Sequence, residues 1–365
     1  GGGCGGPGPA AGHAGGLKGD SPLRGPGTLV AMRLFPSDRY PLPLPAGHRF
    51  PVAKYAALRR RLEAHAAAGA AFQFIEPHAA TDDELLRVHE RAYVGRVLSG
   101  TLAAAEIRRI GFPWSEALVE RSLRSTGAAV DAAAAALADG VAASLAGGTH
   151  HAGTNWGEGY CVFNDTAVAA REMQARGLVR RVVILDCDVH QGNGTAEIFS
   201  DDESVFTMSI HGARNFPLRK HPSSLDVPLE DGTRDDVYLE AVEQAVGESF
   251  NRGRPDLVLA IAGADPFEGD RLGRLAVQLA DDPNGLFHEL RVARELALAQ
   301  IHVVFQPDPA MTAQIDHLGD HVEFPTGNAE AGENRVLGQQ ALHELSRRRG
   351  GGRPPGNAEA ELEQR

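Results

Sequence analysis

Two short stretches restrict the folds open to this chain more than any other part of its 365 residues. Residues 181–185 read RVVIL and Leu257–Ala262 reads LVLAIA. A strand with one face in water alternates apolar and polar residues, and these two do not. Strands that are apolar on both sides belong to sheets buried on both faces, built from parallel strands covered by helices. Residues 141–146 and 204–210 read as two more short buried strands. Helical patterns lie between them. Residues 165–176 are capped by Asn164 or Asp165, and 235–251 carry Val237, Leu239, Val242 and Val246 on an apolar stripe. Upstream, 55–67 and the Ala-rich 126–138, which ends at Gly140, also read as helices. Thr81, Asp82, Asp83 and Glu84 have the spacing of a capping box, predicting a helix with Leu85, Val88 and Ala92 on one face. No internal repeat is evident. The alternation of strand and helix predicts a single doubly wound α/β domain with helices on both faces of a parallel sheet, and 42% apolar residues suffice for its core.

The chemistry-bearing residues fall just past the C-terminal ends of these strands, where open parallel sheets bind ligands. His150 and His151 follow the first strand, Asp186, Asp188 and His190 the second, Ser209 and His211 end the third, and Asp265 follows the fourth. Taken singly, each has a structural reading as a turn or helix cap. Four strand ends delivering them together form a constellation. Asp188 and His190, two residues apart in extended backbone, point the same way. With Asp265 they make three protein ligands that leave one position open, the pattern of a catalytic zinc. A thiolate-free N/O set also admits Fe(II), Mn(II) or Co(II). Cys187 lies between two ligands and is expected to point away, as a packing residue.

These motifs carry a family resemblance. The segments GGTHHAGTNWGEGYCVFNDTAVAA (147–170), VVILDCDVHQGNGT (182–195), SIHG (209–212) and GADPFEGDRLGRL (263–275) resemble the zinc-dependent histone deacetylases, acetoin-utilisation proteins and acetylpolyamine amidohydrolases. PSDRYPLPLPAGHRFPVAKYAALRRRLE (36–63) and IGFPWS (110–115) resemble the class IV and bacterial branch. The resemblance spans about 32–279. It implies an arginase/deacetylase-type α/β fold and hydrolysis of an acetyl-amide on lysine, a polyamine or another small amine. It also implies that Asp188, His190 and Asp265 hold zinc, and that His150 and His151 are the tandem catalytic histidines. Asp186 stands behind the first histidine and Asn193 behind the second. Tyr160 and Phe216 wall an acyl-lysine tunnel with Gly159 at its rim. Asp186, Asp188, His190, Ser209 and Ile210 surround a structural potassium ion. Two other readings stay open: an arginase-like ureohydrolase, which needs a second metal, and a non-catalytic reader of acyl-lysine.

The resemblance also implies a Gly-rich loop ending in an oxyanion-stabilising tyrosine after the Asp265 motif. The tyrosines are at 40, 55, 93, 160 and 238, and none follows. From about Asp281 the tail carries no Lys, Tyr, Cys or Trp, and Ile301–Phe305 is its one clear strand candidate. Of the 36 cations only Lys18, Lys54 and Lys220 are lysines. That bias fits a GC-rich gene, in which wrong frames read through. The expectation is that 32–280 is the deacetylase-like domain and that 281–365 is a frame-shifted end. The alternatives are a divergent end supplying His302, His317 or His321 as another donor, and a member that binds without turnover. Residues 1–31, with 12 glycines and four prolines, read as disordered or upstream sequence. The balance of 36 cations to 48 anions, net −12, argues against direct nucleic-acid binding and mildly suits a cationic substrate. No apolar run of about 18 residues predicts a membrane span, no secretory signal is evident, and three cysteines build no disulfide scaffold. A cytoplasmic location is expected.

Overall fold

In the computed structural model, the described residues are 31–278 and 301–305. The elements run β1 (Met32–Phe35), α1 (Ala53–Ala67), β2 (Phe72–Phe74), α2 (Asp82–Leu85), α3 (Arg91–Ser99), α4 (Ala104–Ile110), α5 (Glu116–Asp139) and β3 (Val141–Ser144). Then come α6 (Asp165–Ala175), β4 (Val182–Asp186), α7 (Asn193–Ile198), β5 (Val205–Gly212), β6 (Leu225–Leu229), α8 (Asp235–Gly253), β7 (Leu257–Ala262) and β8 (Ile301–Phe305). The eight strands form one sheet in the order β2-β1-β3-β8-β7-β4-β5-β6.

The unbroken apolar strands bury both faces. In β4, Val182 and Ile184 join the cluster formed with α5 and α6, while Val183 and Leu185 join the cluster under α8. In β7, Leu257, Leu259 and Ile261 face the first layer and Val258 the second. The first layer is largely alanine: Ala128, Ala132, Ala135 and Ala136 of α5, and Ala167 and Ala170 of α6. Short side chains let two helices lie close to each other and to the sheet. On the second face α1 covers the β1–β3 side through Leu58 and Leu62.

Several local expectations change. The capping box at Thr81 forms, with the Thr81 side chain accepting from Glu84 N–H, but α2 stops at Leu85. The chain then turns, Glu90 N–H donates to Thr154 O at 2.8 Å, and Ala92 is exposed in the separate helix α3. Helix α5 begins at Glu116, because Ser115 accepts from Leu118 N–H and caps it. In α8 the buried stripe is Tyr238, Ala241, Val242, Ala245 and Phe250, leaving Val237 exposed. Strand β8 lies beyond residue 280, where the sequence reading ended the domain, yet it sits between β3 and β7. It runs antiparallel to both, whereas every other pair is parallel. The segment 1–30, His317 and His321 lie outside the described residues. Among the described residues, no helix is long and apolar enough to cross a membrane.

An ionic clasp closes the end of the first layer. His78 Nδ1 lies 2.9 Å from Asp131 and its Nε2 3.0 Å from Glu84. The bond to Asp131, with the one to Glu84 added, outweighs partial burial and raises His78 to about 9. A raised histidine stabilises the fold fully below its unfolded value of about 6.5, and that contribution is lost as pH climbs through about 9. After discounting for solvent screening, the effect is about 1 kcal/mol. Thermal melts from pH 6 to 9.5 should show a decline of about 2–4 °C that His78→Gln removes. Equal pH slopes in the two proteins would refute the assignment.

Candidate metal centre

The C-terminal ends of β3, β4, β5 and β7 face one crevice, and the chemistry-bearing residues meet there. Asp188, His190 and Asp265 each place one ligand atom within 4.8 Å of the others, the only such group of three among the described residues. His190 Nδ1 lies 2.9 Å from Asp188 Oδ1 and 2.9 Å from Asp265 Oδ2. The backbone sets both carboxylates: Val189 N–H donates to Asp265 Oδ1 at 2.9 Å, and His190 N–H to Asp188 Oδ1 at 2.8 Å. Gly263 keeps the space open, since a Cβ there would stand 2.6 Å from Asp188 Oδ2 and 2.8 Å from Asp265 Oδ1. Cys187 packs beside the core cluster under α8, as the alternation of side chains requires.

Electrostatics matches this geometry. Burial disfavours charge on Asp188, but His150 and His190 outweigh it and hold the carboxyl well below its usual range. Asp265 is raised to about 6 by burial and by the neighbouring Asp188 charge. Burial lowers His190, yet its bonds to Asp188 and Asp265 raise it to about 10. Both carboxylates thus favour a proton on the His190 imidazole. Two buried carboxylates and an imidazole in reach of one point, with no thiolate, fit a divalent metal that displaces that proton.

Beside this set stand the two histidines, their ring centroids 4.1 Å apart. Their loop is fixed by Thr149, whose N–H donates to Asp165 Oδ1 and whose Oγ1 accepts from Asp165 N–H, and by Thr195 N–H on His150 O. His150 Nδ1 lies 2.6 Å from Asp186 Oδ2, and His151 Nδ1 2.7 Å from Asn193 Oδ1. The pairs have opposite effects. Burial lowers His150, but the charges of Asp186 and Asp188 overcome it and raise it to about 9. His151 is driven well below its ordinary value by burial and by the positive His150 and His190. Ser209 and Ile210 lie buried on β5, with Ser209 in register with Asp186 of β4. The Ser209 hydroxyl shares a hydrogen bond with His211 Nδ1 at 3.1 Å.

The aromatic residues expected to face each other do not. Phe216 stands edge-on to His151, with ring centroids 5.0 Å apart. A Cβ at Gly159 would lie 2.7 Å from the His151 ring and 3.1 Å from that of Phe216. Tyr160 turns the other way: Gly159 and Tyr160 both have positive φ, 56° and 69°. That turn packs the Tyr160 ring against His48, Phe50 and Phe112.

One residue of the hydrogen-bond network around His151 was missed from sequence. Glu158 Oε2 accepts from Asn193 Nδ2 at 3.2 Å and lies 3.3 Å from Arg109 Nη2 of α4. A carboxylate only accepts, so it fixes the Asn193 amide with Oδ1 toward His151. His151 then donates from Nδ1 and keeps Nε2 as a bare acceptor. The available signal was a carboxylate beside the rim glycine in GEGY.

Comparison with known proteins agrees with this architecture. The profile of the histone deacetylase domain matches residues 48–303. A protein of Picosynechococcus sp. of uncharacterized function is 42% identical over 260 residues, 71% of this chain and 85% of that protein. The acetoin utilization protein AcuC of Staphylococcus aureus is 31% identical over 225 residues, 56% of this chain and 58% of its own length. Among solved structures, the HDA15 HD domain is 25% identical with a TM-score of 0.59, covering 68% of this chain and 78% of that one. The HDAC homolog from Aquifex aeolicus, 22% identical with a TM-score of 0.60 over 74% of this chain and 77% of that one, shares the fold. With its α/β sheet, strand-end site and ordered motifs all in agreement, the chain belongs to the histone deacetylase family.

Proposed function

We propose that the chain is a deacetylase-type amidohydrolase that removes acetyl from acetyl-lysine or another acetylated amine. The observation that carries this reading is the pair of adjacent imidazoles, ring centroids 4.1 Å apart, with a carboxylate behind one and a neutral amide behind the other: His150 Nδ1 lies 2.6 Å from Asp186 Oδ2 and His151 Nδ1 2.7 Å from Asn193 Oδ1, and the two rings' pKa values are displaced in opposite directions. Titratable neighbours pushed apart in this way mark acid/base assignments. In this reading Asp188, His190 and Asp265 hold zinc, which when bound polarises the amide carbonyl and acidifies a water. Fe(II) suits the same N/O set. The neutral His151 takes the water's proton at Nε2 and passes it to the leaving amine. Asn193, oriented by Glu158, holds the His151 tautomer. Asp186 keeps His150 cationic, so that a fixed positive charge faces the oxyanion developing at the carbonyl. Phe216 and Gly159 border the approach to His151. A structural potassium ion at Asp186, Asp188, His190, Ser209 and Ile210 is part of the same reading, supported by the Asp186–Ser209 register.

A single metal-competent group among the described residues favours this chemistry over a two-metal ureohydrolase. The lack of any tyrosine after Tyr238 favours slow turnover, and carries the second reading, an acyl-lysine binder without turnover. Loss of one oxyanion donor costs about 10²–10³ in rate, and a median kcat is about 10 s⁻¹. The zinc-loaded chain is therefore expected to release acetate from an acetyl-lysine peptide at about 0.01–0.1 s⁻¹, sensitive to chelators. Saturable peptide binding with no acetate release would establish the second reading instead.

A further inference from the structure

The cleft that opens onto His151 carries a charge opposite to that of the protein. It encloses about 440 Å³ and has two walls. One wall is Arg109, Trp156 and Glu158, and the other is the segment 216–221 with Phe216, Arg219 and Lys220. Phe216 and Asn193 both line it and both touch His151, so this space leads to the histidine that faces the reacting amide.

Glu158 is the single carboxylate in the lining, against three cations. Arg109 and Asn193 already engage it. Arg109 also lies 4.1 Å over the Trp156 ring, and a Cβ at Gly153 would collide with that ring at 2.4 Å, so this wall is held in place. The opposite wall is tied down as well. Lys220 Nζ donates to the carbonyls of Asn215 at 2.6 Å and Pro217 at 2.8 Å. Gln191 donates to His221 O and to Asp226 Oδ1. Asp226, the carboxylate that acts on Lys220, accepts from Gln191 and from Ser223 N–H. Arg219 is exposed, with no ion-pair partner among the described residues. The balance, in a chain of net charge −12, is thus a positive trough whose walls also carry Trp156, Phe216 and Leu218.

We propose that this cleft selects acylated amines that carry a carboxylate near the amide, such as acetyl-lysine flanked by Asp or Glu, over polycationic substrates such as polyamines or Arg/Lys-rich tails. The proposal rests on the deacetylase reading and refines it. Local charges at the mouth of a cleft act at short range, where they outweigh the screened field of distant acidic residues. Discrimination then comes from repulsion of a cation as much as from attraction of an anion. The global acidity read from the sequence pointed to a cationic substrate, and the cleft reverses that sign.

The test uses the full zinc-loaded chain and three fluorescent peptides with acetyl-lysine flanked by Asp/Glu, by Ala or by Arg/Lys. Binding is measured by anisotropy at low and high salt, and acetate release in parallel. The acidic peptide should bind at least about tenfold more tightly than the basic one at low salt. That gap should shrink with salt and close or invert in Arg219→Glu, an exposed position whose change leaves the fold intact. Equal affinities, or a preference that ignores Arg219→Glu, overturns the proposal, while acetate release from the Ala-flanked peptide upholds the deacetylase reading. The acidic preference without acetate release supports the proposal and overturns turnover. Failure of all three peptides to bind overturns both.

Discussion

Replacing Asp188 with alanine is expected to cut bound zinc from about one per chain to near zero after dialysis. Asp188 is buried, supplies one of three ligand atoms, and accepts from His190 N–H. Partners one step removed from a metal already cost 10–100-fold in affinity when mutated, so loss of a ligand itself should exceed about 10²-fold. The charge of the same residue also raises His150, so the variant loses part of the field that favours a proton on that imidazole. Asp188→Asn preserves shape while removing charge and should fall between the two. Elemental analysis gives the metal content. The stabilisation that added zinc confers on the native chain through binding should disappear in thermal melts of the alanine variant. Stoichiometric zinc retained by a folded Asp188→Ala chain would refute the ligand assignment.

Replacing His151 with alanine is expected to lower kcat by about 10²–10⁴, the usual contribution of a positioned acid/base group, while zinc content stays at the native level. The contrast between the two variants separates metal binding from proton transfer. His151 touches no ligand carboxylate in the hydrogen-bond network; its partner is Asn193. KM should change little, because Phe216 and the cleft walls stay in place. A His151→Ala chain that keeps native kcat would assign the proton transfer elsewhere, and a variant that loses its zinc would make His151 part of the metal's support.

The sheet and its site were legible because both rest on simple periodicities. RVVIL and LVLAIA contain no polar alternation, and β4 and β7 bury both faces. A spacing of two puts Asp188 and His190 on the same side, and they share a hydrogen bond. Other features depend on information a linear pattern lacks. The side to which Tyr160 turns is set by a left-handed backbone at Gly159 and Tyr160, which no hydrophobic pattern encodes. Glu158 reaches Asn193 across 35 residues, so its influence on His151 exists only in three dimensions. The direction of β8 was equally hidden, because a five-residue run with four apolar residues reads as a strand in either sense. The buried face of α8 turned on single positions: Tyr238, not Val237, faces the sheet.

The position of β8 has a consequence for biogenesis. The last strand of the described residues fills the middle of the sheet, hydrogen-bonded to β3 on one side and β7 on the other. During synthesis at about 5–20 residues per second, β3 and β7 leave the ribosome well before residue 301. Until it arrives they present two unpaired edges facing each other, the kind of edge that recruits foreign strands. Before residue 301 is made, the pairings open to the sheet are those of a β2-β1-β3 half and a β7-β4-β5-β6 half. Chaperone shielding of that seam, or its loss, should govern how much chain survives translation, independently of any residue that touches substrate.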